Sequence, residues 1–187
     1  MELVPPHSSV LDLGCGDGDL LVLLAERGVR GRGVELSEEG VRECVRRGLS
    51  VLQGDINEGL ADYPDGSFDY VILSQTLPYL DAPRFVLQEM LRVGRRAIVT
   101  FANPGHWRCR LWMLLAGRSP EGLLVGQPWY ASPRLHLPTP NDFRALCASD
   151  GIEVVSTVGL SPGGGRARVW LNLMAWTVLY VVQRKAG

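Results

Sequence analysis

Three carboxylates and three glycines, at spacings that bring them to one place, carry the chemistry of this chain. Asp12 leads into Leu13-Gly14-Cys15-Gly16-Asp17-Gly18, a turn with glycine at alternate positions. Such glycines let the backbone take φ > 0 and approach a ligand with no Cβ in the way. The helix start behind the turn presents unpaired N–H groups. Two phosphate cradles are excluded: a dinucleotide fingerprint needs glycine at position 19, where Asp19 stands, and no Gly-Lys-Ser/Thr triplet follows. With acids around the turn, the ligand end that suits it is an ammonium or a sulfonium. Glu35 lies seventeen residues beyond Gly18. A carboxylate there can accept hydrogen bonds from both hydroxyls of a ribose.

The elements that must position these groups alternate regularly. A strand at 9–13 precedes the glycine turn, and the following helix runs to about Arg27, with Gly28 as its stop. Gly31 to Glu35 forms a short second strand. Ser37 caps a helix that carries Glu38 and Glu39 in its first turn and closes at Gly48. Residues 50–53 form a third strand, and Gly54-Asp55-Ile56 the loop beyond it. Pro64-Asp65-Gly66 signals a turn into a continuous apolar strand at 68–73, suited to a sheet covered on both faces. A helix from about Asp81 to Val93 and a strand from Arg96 to Phe101 complete the pattern. Strand–helix alternation implies a parallel sheet with right-handed crossovers, whose ligands sit beyond the carboxyl ends of the strands. The glycine turn, Glu35, Asp55 and the loop after Leu73 all belong to that edge.

Asp-Leu-Gly-Cys-Gly-Asp-Gly resembles the first motif of the class I S-adenosylmethionine (SAM)-dependent methyltransferases. The resemblance implies an α/β Rossmann-like domain with a seven-stranded, mostly parallel sheet. The implied order is 3-2-1-4-5-7-6, with strand seven antiparallel. It also implies SAM or S-adenosylhomocysteine as the bound molecule. The residues it places against that molecule are Asp12, Gly14, Cys15, Gly16, Gly18, Glu35, Leu36, Asp55, Ile56 and Ser74, with Asp55 at the adenine amino group. Asp69 resembles the acid of the family's fourth-strand motif.

Beyond residue 101, Trp107 to Ala116 reads as an amphipathic run stopped by Gly117, and 117–138 as largely irregular. Thr139-Pro140-Asn141-Asp142 reads as a helix start. A strand follows from Ile152 to Val158, then a flexible loop from Gly159 to Arg168, and a last strand at about Thr177 to Arg184. Several blocks together resemble the MetW family of methionine-biosynthesis proteins: Gln53-Gly54-Asp55, Pro64-Asp65-Gly66-Ser67-Phe68-Asp69-Tyr70, Leu73-Ser74-Gln75-Thr76-Leu77, Glu89 to Arg96, Pro104 to Arg108, and Trp129-Tyr130…Pro133…His136-Leu137. This narrower resemblance implies a methyltransferase-fold protein that works with a homoserine O-acyltransferase. It identifies no methyl acceptor. Methyl transfer needs alignment, and a base only where the acceptor is protonated. The candidates for that base are His106, Tyr130 and His136, although a lone His or Tyr is more often a packed or capping residue than a base. Trp107, Trp112 and Trp129 suit either a substrate cage or packing against core or partner. Two functions therefore stand side by side: a SAM-binding partner of an acyltransferase, or an active small-molecule methyltransferase.

Composition bounds these readings. At 187 residues the chain makes one domain, a SAM-binding half at 1–101 and a partner or substrate half at 102–187. A net charge of −1 gives no electrostatic reason to expect nucleic acid or an anionic membrane. Cys15, Cys44, Cys109 and Cys147 form no C-x-x-C pair and read as reduced thiols of a cytoplasmic protein, with neither disulfide nor metal. No secretory signal is legible at the start. The apolar run Val169–Val182 is short of the roughly 20 residues a membrane span requires, and its second half reads as a buried strand.

Overall fold

A computed structural model describes residues 3–126, 129–131 and 135–185; Pro133 lies outside the described residues. Among the residues described, eight strands form one sheet: β1 (Ser9–Leu13), β2 (Arg30–Glu35), β3 (Val51–Gln53), β4 (Phe68–Ser74), β5 (Gly94–Ala102), β6 (Ile152–Leu160), β7 (Arg166–Ala167) and β8 (Thr177–Arg184). Their order is β3-β2-β1-β4-β5-β8-β6-β7. The first five in that order are parallel, and β8 joins β5 antiparallel, with Val99 opposite Tyr180. The expected order holds, with β8 as the strand numbered seven from sequence, and an eighth strand extends the edge. That edge strand, β7, lies where a flexible loop is expected. Strand β6 continues to Leu160, and Ser161 N–H donates to the Gly165 carbonyl at 2.7 Å, so Pro162 to Gly165 makes a hairpin turn.

Among the described residues, seven helices flank the sheet or lie at its ends: α1 (Asp19–Ala25), α2 (Glu38–Arg46), α3 (Pro83–Val93), α4 (Trp107–Ala116), α5 (Glu121–Leu124), α6 (Pro140–Ser149) and α7 (Leu171–Met174). The sheet is buried on both faces, and successive strand residues fall alternately into two cores. Leu11, Val71, Leu73 and Phe101 pack with Val86, Met90 and Phe143 on one side. Val10, Tyr70, Ile72 and Ile98 pack with Leu24 and Val181 on the other. This is the period-2 alternation of a strand, made apolar on both faces by helices on each. The capping box expected at Thr139 is present: the Thr139 hydroxyl accepts from Asp142 N–H, and the Asp142 carboxylate accepts from Thr139 N–H.

Two expectations are revised. First, α1 stops at Ala25, before the expected Arg27, because the chain turns through Gly28 at φ 74°. Second, the run at 107–116 does form a helix, but it presents no apolar stripe to the core, since Cys109 alone is buried. Asp69 stands in the fourth strand, at its start, the end of the sheet opposite the glycine turn. There it accepts from both N–H and Oγ of Ser9 at 2.9 Å, which lowers its pKa. Its role is to tie β1 to β4.

The run Val169–Val182 divides into exposed Val169 and Trp170, the short α7, and β8. Among the described residues, no helix is long and apolar enough to cross a membrane. All four cysteines are buried free thiols; Cys15 and Cys44 are 3.9 Å apart at sulfur and unbonded.

Candidate cofactor site

Strand β1 ends in a turn built so that other backbone can come close to it. Gly14, Gly16 and Gly18 have φ of 69°, 56° and 87°, the left-handed region that disfavours side chains. Their free faces point to different neighbours. A Cβ on Gly14 would lie 2.8 Å from the Thr76 side chain, and one on Gly18 would lie 2.3 Å from Leu49 and 3.0 Å from Cys44. A Cβ on Gly16 would meet nothing within 4 Å. Gly14 and Gly18 thus let the loop after β4 and helix α2 close on the turn, whereas Gly16 faces open space. Cys15 points inward beneath the turn. Its sulfur occupies the space left by Gly33, whose Cβ would sit 2.4 Å from it. Burial first, then Cys44, pushes the Cys15 thiol pKa well up, so it stays protonated.

The turn N–H groups of Gly14, Cys15, Gly16 and Gly18 are taken within the protein: Gly14 and Cys15 donate to the Val34 carbonyl and Gly18 to the Cys15 carbonyl, while carboxylates take Gly16 and two N–H groups nearby. Gly16 N–H donates to Glu35 Oε2 at 2.8 Å, Ser37 N–H donates to Glu35 Oε1 at 2.9 Å, and Asp19 N–H reaches Asp17 Oδ1 at 3.4 Å. A phosphate would have to displace these acids, so the turn is not an anion cradle. Glu35 is half-buried at the end of β2, and each oxygen accepts one backbone bond, which leaves further lone pairs on each for ligand hydroxyls. Leu36, 63% exposed, is beside it at the rim.

Asp12 is the most constrained group of the site. It is 2% exposed, and its Oδ1 is a buried side-chain oxygen with no hydrogen-bond partner among the described residues. Burial, and then the negative charge of Glu35, push its pKa up to about 7. An orphaned buried acceptor is rare and unfavourable. Here it faces a second carboxylate, so a cationic ligand end would remove both penalties at once. The open face of Gly16, the Asp12 orphan and the Glu35 lone pairs fit the sulfonium, ammonium and ribose of SAM.

The remaining predicted residues divide. Asp55 lies two residues beyond the end of β3 and caps a 3-10 turn at Ile56–Glu58 by accepting from Asn57 N–H at 2.8 Å. This occupies Oδ1 and leaves Oδ2 without a partner among the described residues. Ile56 is buried in the core below. Ser74 ends β4, with its Oγ 3.2 Å from Thr100 Oγ1. All of these lie at the carboxyl edge of the parallel strands.

The three candidate bases are placed differently from one another. His106 is 2% exposed, and its Nδ1 accepts from Arg108 N–H at 3.2 Å as the N-cap of α4. Its other nitrogen bonds the Met174 backbone, and burial with nearby Arg108 lowers its pKa. It is a neutral structural histidine. His136 is exposed, and its N–H donates to the Pro78 carbonyl at 2.8 Å, which lays its segment over the loop after β4. Tyr130 is exposed and lines a groove of about 950 Å³ with Trp112, Arg118 and Leu123. Trp107 and Trp112 stand on α4, partly exposed, and share a second groove.

Three residues of the site escape the sequence reading. Gly40 lets the first turn of α2 approach, since its Cβ would be 2.8 Å from the Gly16 carbonyl and 2.9 Å from Glu35 Cγ. Its signal is a glycine inside a helix, which is unfavourable by about 1 kcal/mol unless packing demands it. Thr76 bridges the edge by donating to the Ser74 carbonyl at 3.0 Å and the Leu13 carbonyl at 3.4 Å. Gln75, beside it, is held at φ 59° by N–H donation to the Thr100 carbonyl at 3.0 Å. Left-handed non-glycine backbone of this kind clusters at ligand-binding edges.

Comparison with known proteins bears on the family and the fold. The family described as "Methionine biosynthesis protein MetW" matches residues 1–182. A relative from Rhodopirellula baltica, the "Bifunctional methionine biosynthesis protein MetXA/MetW", is 39% identical over 158 residues, 78% of this chain and 25% of its own length. The ubiquinone biosynthesis O-methyltransferase of Methylococcus capsulatus is 33% identical over 124 residues, 61% of this chain and 52% of its own. The chain therefore spans a quarter to a half of these relatives. Among solved structures, a Thermotoga maritima SAM-dependent methyltransferase, described as a possible histamine N-methyltransferase, superposes with a TM-score of 0.74 at 20% identity. That match covers 98% of this chain and 84% of the other. The fold is that of the class I SAM-dependent methyltransferases.

Proposed function

This chain belongs to the MetW family of methionine biosynthesis proteins, and from that premise we propose that it binds SAM or S-adenosylhomocysteine at the exit of β1 and acts with a homoserine O-acyltransferase. The observation that carries the binding half is Asp12, a buried carboxylate with an unpartnered oxygen beside a second acid. Asp12 holds the cationic end of the ligand, Glu35 accepts the ribose hydroxyls, and Asp55 receives the adenine amino group. When bound, SAM supplies an electrophilic methyl group on a cationic sulfur. The partner half is supported by the Rhodopirellula baltica relative, a bifunctional protein whose name joins MetXA and MetW.

Calorimetric titration with both nucleosides tests the binding half. Asp12 must be ionised to hold a cation, and its pKa in the free protein is about 7. Below that pH, binding releases a proton, so affinity rises with pH up to about 7 and is level above it. Buffers of different ionisation enthalpy read that proton directly. A pH-independent affinity, or no heat at all, overturns the assignment. For the partner half, adding the chain to the homoserine O-acyltransferase of the same genome should raise acyl transfer. An active small-molecule methyltransferase is the second reading, favoured by the exposed His136 laid over the loop after β4. It requires release of S-adenosylhomocysteine without any partner.

A further inference from the structure

Helix α4 lacks what a surface helix normally has, a polar side. Of its ten residues, Trp-Arg-Cys-Arg-Leu-Trp-Met-Leu-Leu-Ala, only Cys109 is buried, while Leu114 and Leu115 are 79% and 75% exposed. Trp107, Leu111, Trp112 and Leu115 line an open groove of about 720 Å³. A second groove, about 450 Å³, runs from Trp107 and Arg108 to Val169 and Met174. The apolar face thereby continues onto the tip before and within α7, where Val169 and Trp170 are 69% and 73% exposed. Contiguous apolar surface of this kind on a folded chain marks an interaction site.

The face is built rigidly. Asn103, fully buried, donates through Nδ2 to the Ala175 carbonyl at 2.8 Å and the Asn172 carbonyl at 3.2 Å, and its Oδ1 accepts from Gly105 N–H at 2.8 Å. Buried His106 caps α4 and bonds the Met174 backbone. One polar hub thus fixes the start of α4 to α7, and Trp170 is held at φ 49°, a strained conformation for a bulky residue. A preorganised apolar surface loses little entropy on binding.

Charge identifies what fits it. Residues 103–126 and 159–176 contain Arg108, Arg110, Arg118, Arg166 and Arg168, against one acid, Glu121. A second copy would set arginines against arginines. The complementary surface is apolar at its centre and carboxylate at its rim. We propose that α4 and the Val169–Met174 tip form one preformed docking face, and that its occupant is the acyltransferase, through an acid-rimmed apolar patch. This rests on the partner half of the proposed function. The face leaves the sheet at the carboxyl end of β5, the same edge as the glycine turn, so the partner would sit beside the cofactor.

The test is a binding titration of the full chain with the homoserine O-acyltransferase of the same genome. It is run with wild type, the pair Leu114→Glu/Leu115→Glu, the pair Arg108→Glu/Arg118→Glu, and Val45→Glu on the far helix α2. The leucine pair should weaken binding at least 100-fold and the arginine pair about tenfold, with Val45→Glu at wild-type affinity. Each variant must also unfold at the wild-type temperature and bind S-adenosylhomocysteine as wild type does, which the exposure of these side chains allows. If wild type binds and the leucine pair binds equally, the docking face is wrong and the partner stands. If wild type does not bind, the acyltransferase is overturned as occupant. Sedimentation of the chain alone and flotation with phosphatidylglycerol vesicles then show whether a second copy or a membrane takes the face instead.

Discussion

The two halves of the chain are similarly apolar in sequence but treat their apolar residues in opposite ways. Up to Ala102, helices and strands share their apolar positions between two cores, and Leu11, Leu13, Val86 and Met90 are wholly buried. From Trp107 to Met174, the residues Leu111, Trp112, Met113, Leu114, Leu115, Val169 and Trp170 face outward. The first half buries most of its apolar positions, with scattered exposed exceptions such as Leu23, Leu36 and Val45, and keeps one polar defect, Asp12, for a small ligand. The second satisfies its polar groups internally, through Asn103 and His106, and keeps its apolar surface for a large one. A buried unpartnered acid and an exposed unpartnered helix are equivalent signals, since each marks an interaction the chain does not complete alone.

The contrast can be broken most forcefully in the core. Leu87→Ala in α3 should destabilise by about 2–5 kcal/mol in urea unfolding. Asp12 gives the next largest effect. Its folded pKa of about 7 lies above the 3.8 of a free aspartate, so the folded state binds the extra proton and ionisation opposes folding. Wild-type stability relative to Asp12→Asn should therefore fall as pH rises from about 4 to about 7, by up to roughly 4 kcal/mol, and stay level above. Unfolding of both proteins at pH 5 and 8 measures it, and a constant difference would refute the buried charge.

The glycine turn sharpens the comparison further. Gly18→Ala should destabilise by roughly 2–3 kcal/mol, from left-handed strain and displacement of Leu49. Gly16→Ala should show only the strain, roughly 1–2 kcal/mol, yet weaken S-adenosylhomocysteine more, because its new methyl group enters the open face. Glu35→Ala should weaken that ligand about 10- to 100-fold by calorimetry, through loss of charge-assisted bonds. Smallest of all, Leu115→Ala should leave stability within about 0.5 kcal/mol of wild type. A larger loss would mean that α4 packs on the chain after all.

Much of this was legible in the residues themselves. Whereas the order of the sheet through β8 comes from the resemblance to the methyltransferase family, the alternation of strand and helix, the capping box at Thr139 and the gathering of Asp12, Glu35 and Asp55 at one edge follow from periodicity, turn chemistry and the connection rules of parallel sheets. These are local signals, and each names its own partner within a few residues or one crossover. Which glycine meets a ligand is another matter. Gly14, Gly16 and Gly18 look alike in sequence, and only Thr76, Leu49 and empty space, from distant parts of the chain, tell them apart. His106, Tyr130 and His136 are likewise equivalent as letters, and tertiary contacts alone make the first a buried cap. The eighth strand and the outward helix belong to the same class. A periodic apolar pattern specifies a surface that avoids water, but whether the chain itself or another molecule covers it depends on where the remaining elements pack.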